Sequence, residues 1–274
     1  MGGGFEHLIK NQIAALNGGN IECIHQMRIA LRRLHATLAL FKGVIASPGL
    51  EGIKRDLQWF SYRLGAARDW DVFETRTLQK LKRTPTTRAA AEGIAKATSA
   101  QRIAVDRRAA RALRSARYRR FILTTRRWLG DAQWCEHLDP GLRPLLDEPL
   151  VEAVRPWLQR SARKVHKEGK GIAHLKAKHR HRLRIALKQL RYDTDSLSNL
   201  YAQRKVKRFV EALRSLQDVL GRLNDLAVAR RLVRVLKTSD RTVLDDELKA
   251  AKRKRLETLP PVWRSFRSVE PFWR

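Results

Sequence analysis

His25, Arg28 and Arg32 stand three and four residues apart, with His35 three further on, and the same spacing returns at His181, Arg184, Lys188 and Arg191. On an α-helix, turning roughly 100° per residue, each set falls in one narrow stripe. Such a stripe suits an anion. The planar guanidinium fork takes two phosphate oxygens at once, and an imidazole adds a hydrogen bond that strengthens as it protonates near its ordinary pKa of about 6.5. The spacing does not suit a metal, because neither copy holds a His-x-x-x-His pair or a Cys/His cluster, and His179 and His181 diverge on a helix. A structural role stays open for either stripe histidine taken alone. Clustered carboxylates for Mg²⁺ and a Gly-rich phosphate loop are both missing from the sequence, so no catalytic residue, metal or cofactor is assigned.

Between Met27 and Ile45 there is not one Asp or Glu. Like charges one turn apart repel, and without acids at i±4 the first stripe makes sense if an external anion neutralises it, the alternative being a solvated basic face. Met27, Ala30, Leu34, Leu38 and Phe41 lie opposite and read as the core face, as do Leu183, Ala186, Leu190 and Leu197 in the second copy, where Tyr192 sits beside the stripe.

The repetition is itself informative. His25-x-x-Arg28-Ile-Ala-Leu-Arg32 returns as His181-x-x-Arg184-Ile-Ala-Leu-Lys188, 156 positions on, and Leu64-Gly65-x-x-x-Asp69-x-x-Val72 returns at the same offset as Leu220-Gly221-x-x-x-Asp225-x-x-Val228. Two blocks sharing one offset point to a duplicated helical bundle. Gly65 and Gly221 fall mid-helix, where glycine costs about 1 kcal/mol relative to alanine, so close packing of two backbones is expected there. Asp69 and Asp225 read as structural acids that orient stripe arginines, since each has too few acidic neighbours to hold a metal.

Further cations extend the surface: Lys54, Arg55, Arg63 and Arg68 in the first half, and Arg204, Lys205, Lys207, Arg208 and Arg214 in the second. Residues 102–127 are also dense in arginine, which reads equally well as a solvated face. The whole chain carries 58 Lys and Arg against 27 Asp and Glu, a net charge of +31 over 274 residues. Self-repulsion of that size is retained where it attracts a polyanion: nucleic acid, an anionic surface or polyphosphate.

Helices must position these groups. Ala, Leu, Arg and Lys are abundant and β-branched alternation is nearly absent. The pattern predicts helices at 5–16, 22–46, 50–82, 86–113, 117–129, 149–168, 173–202, 205–237, 240–257 and 260–267. Gly130, Pro140, Gly141, Pro144 and Pro149 mark a linker, giving a first bundle at 5–129, a linker at 130–148 and a second bundle at 149–268. Two cysteines, Cys23 and Cys135, suggest no disulfide framework and hence a reducing, cytoplasmic setting, and no apolar run reaches the roughly 18 residues of a membrane span.

The two stripe blocks, with Leu64-Gly65-x-x-Arg68-Asp69-x-Asp71-Val72 and Leu216-Gln217-Asp218-x-Leu220-Gly221-x-x-Asn224-Asp225, resemble the signature blocks of the CHAD family, the conserved histidine α-helical domain. The resemblance runs from about residue 5 to residue 260. It implies one all-α CHAD domain spanning 1–274, built from two pseudo-twofold-related four-helix bundles that share a central basic cavity. It also implies non-catalytic binding of inorganic polyphosphate, with His25, Arg28, Arg32, Arg33, His181, Arg184, Lys188 and Arg191 lining the cavity. Targeting to polyphosphate granules, and a separate CYTH-type triphosphatase as partner, follow from the same resemblance. His35 stands where the family more often has Arg, and Gln189 replaces a common basic residue. The alternative function is a nonspecific nucleic-acid-binding protein. Charge supports it equally, but the chain has no RNP motif, zinc finger or helix-turn-helix, and the stripes carry only Tyr192 as an aromatic. Weak nucleic-acid binding is expected in either case.

Overall fold

The computed structural model describes residues 2–16, 21–41, 49–130, 148–236 and 238–274. It is all-α, with no strand among the described residues. In chain order the helices are α1 (Gly2–Leu16), α2 (Ile21–Leu40), α3 (Leu50–Val72), α4 (Gln79–Arg83), α5 (Arg88–Gly93), α6 (Ala95–Arg114) and α7 (Ala116–Gly130). They continue as α8 (Leu150–Glu168), α9 (Ala177–Leu197), α10 (Gln203–Val235), α11 (Arg241–Glu257) and α12 (Leu259–Arg267). The expected linker at 130–148 lies, apart from its two ends, outside the described residues. The same holds for 42–46 of the second expected helix. By compactness the chain divides into two units, Met1–Leu142 with Leu232–Leu244, and Arg143–Arg231 with Asp245–Arg274. None of the described helices is long and apolar enough to cross a membrane.

In the first unit α2 and α3 pack together, and α3 also meets α6 and α7. The expected core face of α2 is buried at Met27, Ala30, Leu34 and Leu38, whereas Phe41 is half-exposed. Phe60 of α3 sits against Tyr118 and Phe121 of α7, with ring centroids 4.9 and 5.3 Å away. Ser115 separates α6 from α7 by adopting an extended backbone, and its Oγ accepts the Tyr118 N–H at 3.2 Å. That satisfies one of the donors a helix start leaves over.

The expected single helix over 50–82 is interrupted. Phe73–Leu78 forms a π turn between α3 and α4, a widening that inserts one extra residue into a helical ladder. Its effect on the core is direct: Phe73 and Leu78, five residues apart, are both buried. Regular α-helical spacing would turn one of them outward.

In the second unit α8 packs on α9, and Gln217 of α10 donates to the Leu187 carbonyl of α9 at 2.9 Å. Leu183, Ala186, Leu190 and Leu197 are buried as expected. Phe209 gathers Phe266, Phe272 and Trp273 at 5.8, 5.5 and 5.1 Å. The C-terminal stretch after α12, which the helical pattern leaves unread, thus supplies core residues.

Asp193 of α9 is buried, accepting from Ser161 at 2.5 Å and Gln189 at 2.7 Å. Burial pushes its carboxyl up to about 6 despite these two donors. A carboxyl whose folded pKa exceeds its unfolded value binds its proton more tightly when folded, so stability is lost as pH rises from about 4 to about 6. The penalty above that window is about 3 kcal/mol. Asp193→Asn is therefore expected to stabilise the chain by about 1–3 kcal/mol at pH 7.5 and by little at pH 4. Paired denaturant melts at the two pH values check this, and an equal shift at both would refute it.

Candidate polyanion-binding site

In the first unit the stripe comes together with α3. Arg28 donates to the Ser61 carbonyl at 3.3 Å, and its guanidinium passes directly over Gly65. A Cβ added to that glycine would lie 3.0 Å from Arg28 Nη1, the only described heavy atom within 4 Å. The glycine therefore admits an arginine side chain, where the sequence suggests two packed backbones. Arg68, one turn further along α3, acts electrostatically on His25, as do Arg32 and Arg28. Burial first, and these cations next, hold the His25 imidazole below its usual pKa.

Among the polar atoms buried in this region with no hydrogen-bond partner among the described residues are His25 Nδ1, Arg32 Nε and Ser61 Oγ. An orphaned buried donor costs about 1–3 kcal/mol. Beside the Arg28 guanidinium, such groups suit an oxygen-rich anion.

Other expected site residues are placed differently. The His35 ring is bonded to the backbone of Leu57, and burial pushes its pKa down, so it serves α2–α3 packing. Arg68 pairs with the buried carboxylate of Asp71, two residues beyond Asp69. Lys54 pairs with Glu51 at 2.6 Å. Arg63 lies over the Trp59 ring at 5.2 Å, beside Arg117 at 4.6 Å. Arg33 and Arg55 are exposed.

In the second unit, His181 and Arg184 line a recess of about 140 Å³ with Arg180, Asn224 and Lys252. Its remaining lining is apolar: Ala177, Leu220, Leu223 and Ala227. Arg180 donates to the Leu175 carbonyl. Burial, then the charges of Arg180 and Arg230, hold the Lys252 ammonium below its ordinary pKa. Arg230 is already neutralised by two bonds to Asp245, at 2.6 and 3.0 Å. Arg191 likewise spends its charge on Asp195, with both carboxylate oxygens 2.9 Å from Nε. Lys188 and Tyr192 are half-buried, while Arg204, Lys205, Lys207, Arg208 and Arg214 are exposed. Asp69 and Asp225 are both half-buried. At Gly221 no described heavy atom lies within 4 Å of an added Cβ, so the second glycine, unlike the first, faces open space.

Arg180 and Lys252 escape sequence reasoning for identifiable reasons. The repeat pairs Arg180 with Ile24, so it carries no duplicated signal, and Lys252 lies on α11, outside both repeated blocks. No group of three or more His, Cys, Asp or Glu among the described residues is placed to hold a metal.

The family model for the CHAD domain matches residues 1–234. The chain belongs to the CHAD family. The crystal structure of the CHAD domain from the plant Ricinus communis superposes with a TM-score of 0.80 at 30% identity, covering 98% of this chain and 89% of that one. PptA from Streptomyces chartreusis shares the fold, with a TM-score of 0.64 at 17% identity over 97% of each chain. No curated protein matches. Within the CHAD match fall both stripes and both glycine blocks, whereas Lys252 lies beyond it.

Proposed function

We propose that this CHAD protein is a non-catalytic binder of inorganic polyphosphate. The observation that carries the reading is the α2–α3 cluster, where the buried, unpartnered atoms His25 Nδ1 and Arg32 Nε sit beside the Arg28 guanidinium. A linear phosphate chain offers closely spaced anionic oxygens and no bases. It matches a site made of guanidinium forks without stacking aromatics. Membership of the CHAD family supports the same ligand. Residence on polyphosphate granules, and work alongside a separate CYTH-type triphosphatase, belong to this reading.

The test is binding of long-chain polyphosphate to the wild type and to the Arg28→Ala, Arg184→Ala double variant, with single-stranded DNA as competitor. Tight binding that resists DNA and drops at least tenfold in the variant is the expected result. If DNA competes equally per charge and the variant binds like the wild type, net charge alone accounts for binding and the site assignment is wrong.

A further inference from the structure

The two copies of the stripe differ in what lies beside them. In the first unit the space over Gly65 is filled by Arg28, while in the second Gly221 faces open space and a recess forms beside it. Four basic side chains, Arg180, His181, Arg184 and Lys252, converge there, and no acidic side chain is among its described lining residues. Leu220 and Leu223, both buried, form an apolar floor.

That combination discriminates between parts of a phosphate chain. An internal phosphate carries about one charge and must send anionic chain out in two directions. Laid in this recess, one of those directions would meet leucine, which supplies no donor to replace lost water. A terminal phosphate carries a second ionisation near pH 6 and so approaches two charges at neutral pH. It needs a single exit.

We propose that the second unit's recess captures the terminal phosphate of a condensed phosphate chain, with Lys252 of α11 completing the site. This rests on the polyphosphate reading and adds to it a preference for chain ends. Lys252 suits the role because it shares the recess with Arg180 and has no ion-pair partner among the described residues, so a dianion relieves the crowding.

The experiment is calorimetric titration of the full chain with tripolyphosphate, orthophosphate, and long-chain polyphosphate before and after its ends are capped as phosphoramidates. One tripolyphosphate per chain is expected. Lys252→Gln should weaken it at least tenfold, Lys252→Arg should retain most of the affinity, and Ala227→Leu, which adds bulk at the recess wall, should abolish it. Thermal melts establish that each variant is folded. Capped chains should compete with tripolyphosphate at least tenfold less well than uncapped ones, and orthophosphate should not compete at equal concentration.

Unchanged tripolyphosphate affinity in folded Lys252→Gln and Ala227→Leu overturns the proposal, as does equal competition by capped chains or by orthophosphate. If long chains bind and tripolyphosphate does not, the recess assignment alone fails. If no condensed phosphate of any length binds, the polyphosphate reading falls with it.

Discussion

Raising sodium chloride from 50 to 200 mM should weaken binding of long-chain polyphosphate by roughly fifty- to a hundred-and-thirtyfold. Each phosphate neutralised by a protein cation releases part of its condensed counterion atmosphere, with a logarithmic slope near −0.7 per contact for a flexible single chain, so about four to five contacts give a fall of this size. The structure says which cations should count. Arg68 and Arg191 already face Asp71 and Asp195, so an incoming phosphate must displace an internal acid and gains little from either. Arg32, whose Nε is buried without a hydrogen-bond partner among the described residues, should contribute a full contact. Arg32→Ala is thus expected to make the slope shallower by about 0.7, and Arg191→Ala to leave it unchanged. Affinity measured at four or five salt concentrations gives the slopes. Equal effects from the two substitutions would mean that the internal ion pairs do not set the site's electrostatics.

The largest stability effect is expected at Gly169, the residue that ends α8. Its φ of −89° is open to any L-residue, and its N–H bonds the Val165 carbonyl at 2.9 Å, so nothing in the backbone requires glycine. The side of the helix end does. An added Cβ would run into the six-membered ring of Trp263 on α12. That ring cannot retreat readily, because it is buried and braced by His166 at 5.9 Å and Phe266 at 5.8 Å. Overpacking a rigid core position costs about 1–3 kcal/mol or somewhat more. Gly169→Ala should therefore destabilise the chain by about 3 kcal/mol, and Trp263→Phe in the same background should restore part of the loss, giving a favourable coupling in a double-mutant cycle. Purely additive effects would show that the two residues do not touch.

The stripes were readable because a helix converts spacing into a face, and because the same spacing occurs twice. His25, Arg28, Arg32, His181 and Arg184 are read from that spacing. Spacing along one helix says nothing of what the next helix presents, which is why His35 reads as a stripe member and turns out bonded to the backbone of α3. Gly65 shows the same limit: a close approach is inferable from glycine in mid-helix, but not that the approaching group is Arg28. Arg191 is a different case, since Asp195 stands four residues on and the pair is visible in the sequence itself. Phe272 and Trp273 carry no periodic signal, lying beyond the last helix, yet they close the second core.

The π turn at Phe73–Leu78 settles how the two halves of the sequence align. Up to Val72 and Val228 the repeat keeps one offset, 156 residues. Carried past the turn, that offset would match buried Leu78 to exposed Arg234. Shortened by one residue it matches Leu78 to Val233, and both are buried. The first copy therefore holds one residue more than the second. A helix can host that surplus at a single widened turn, leaving every later side chain on the face it had before.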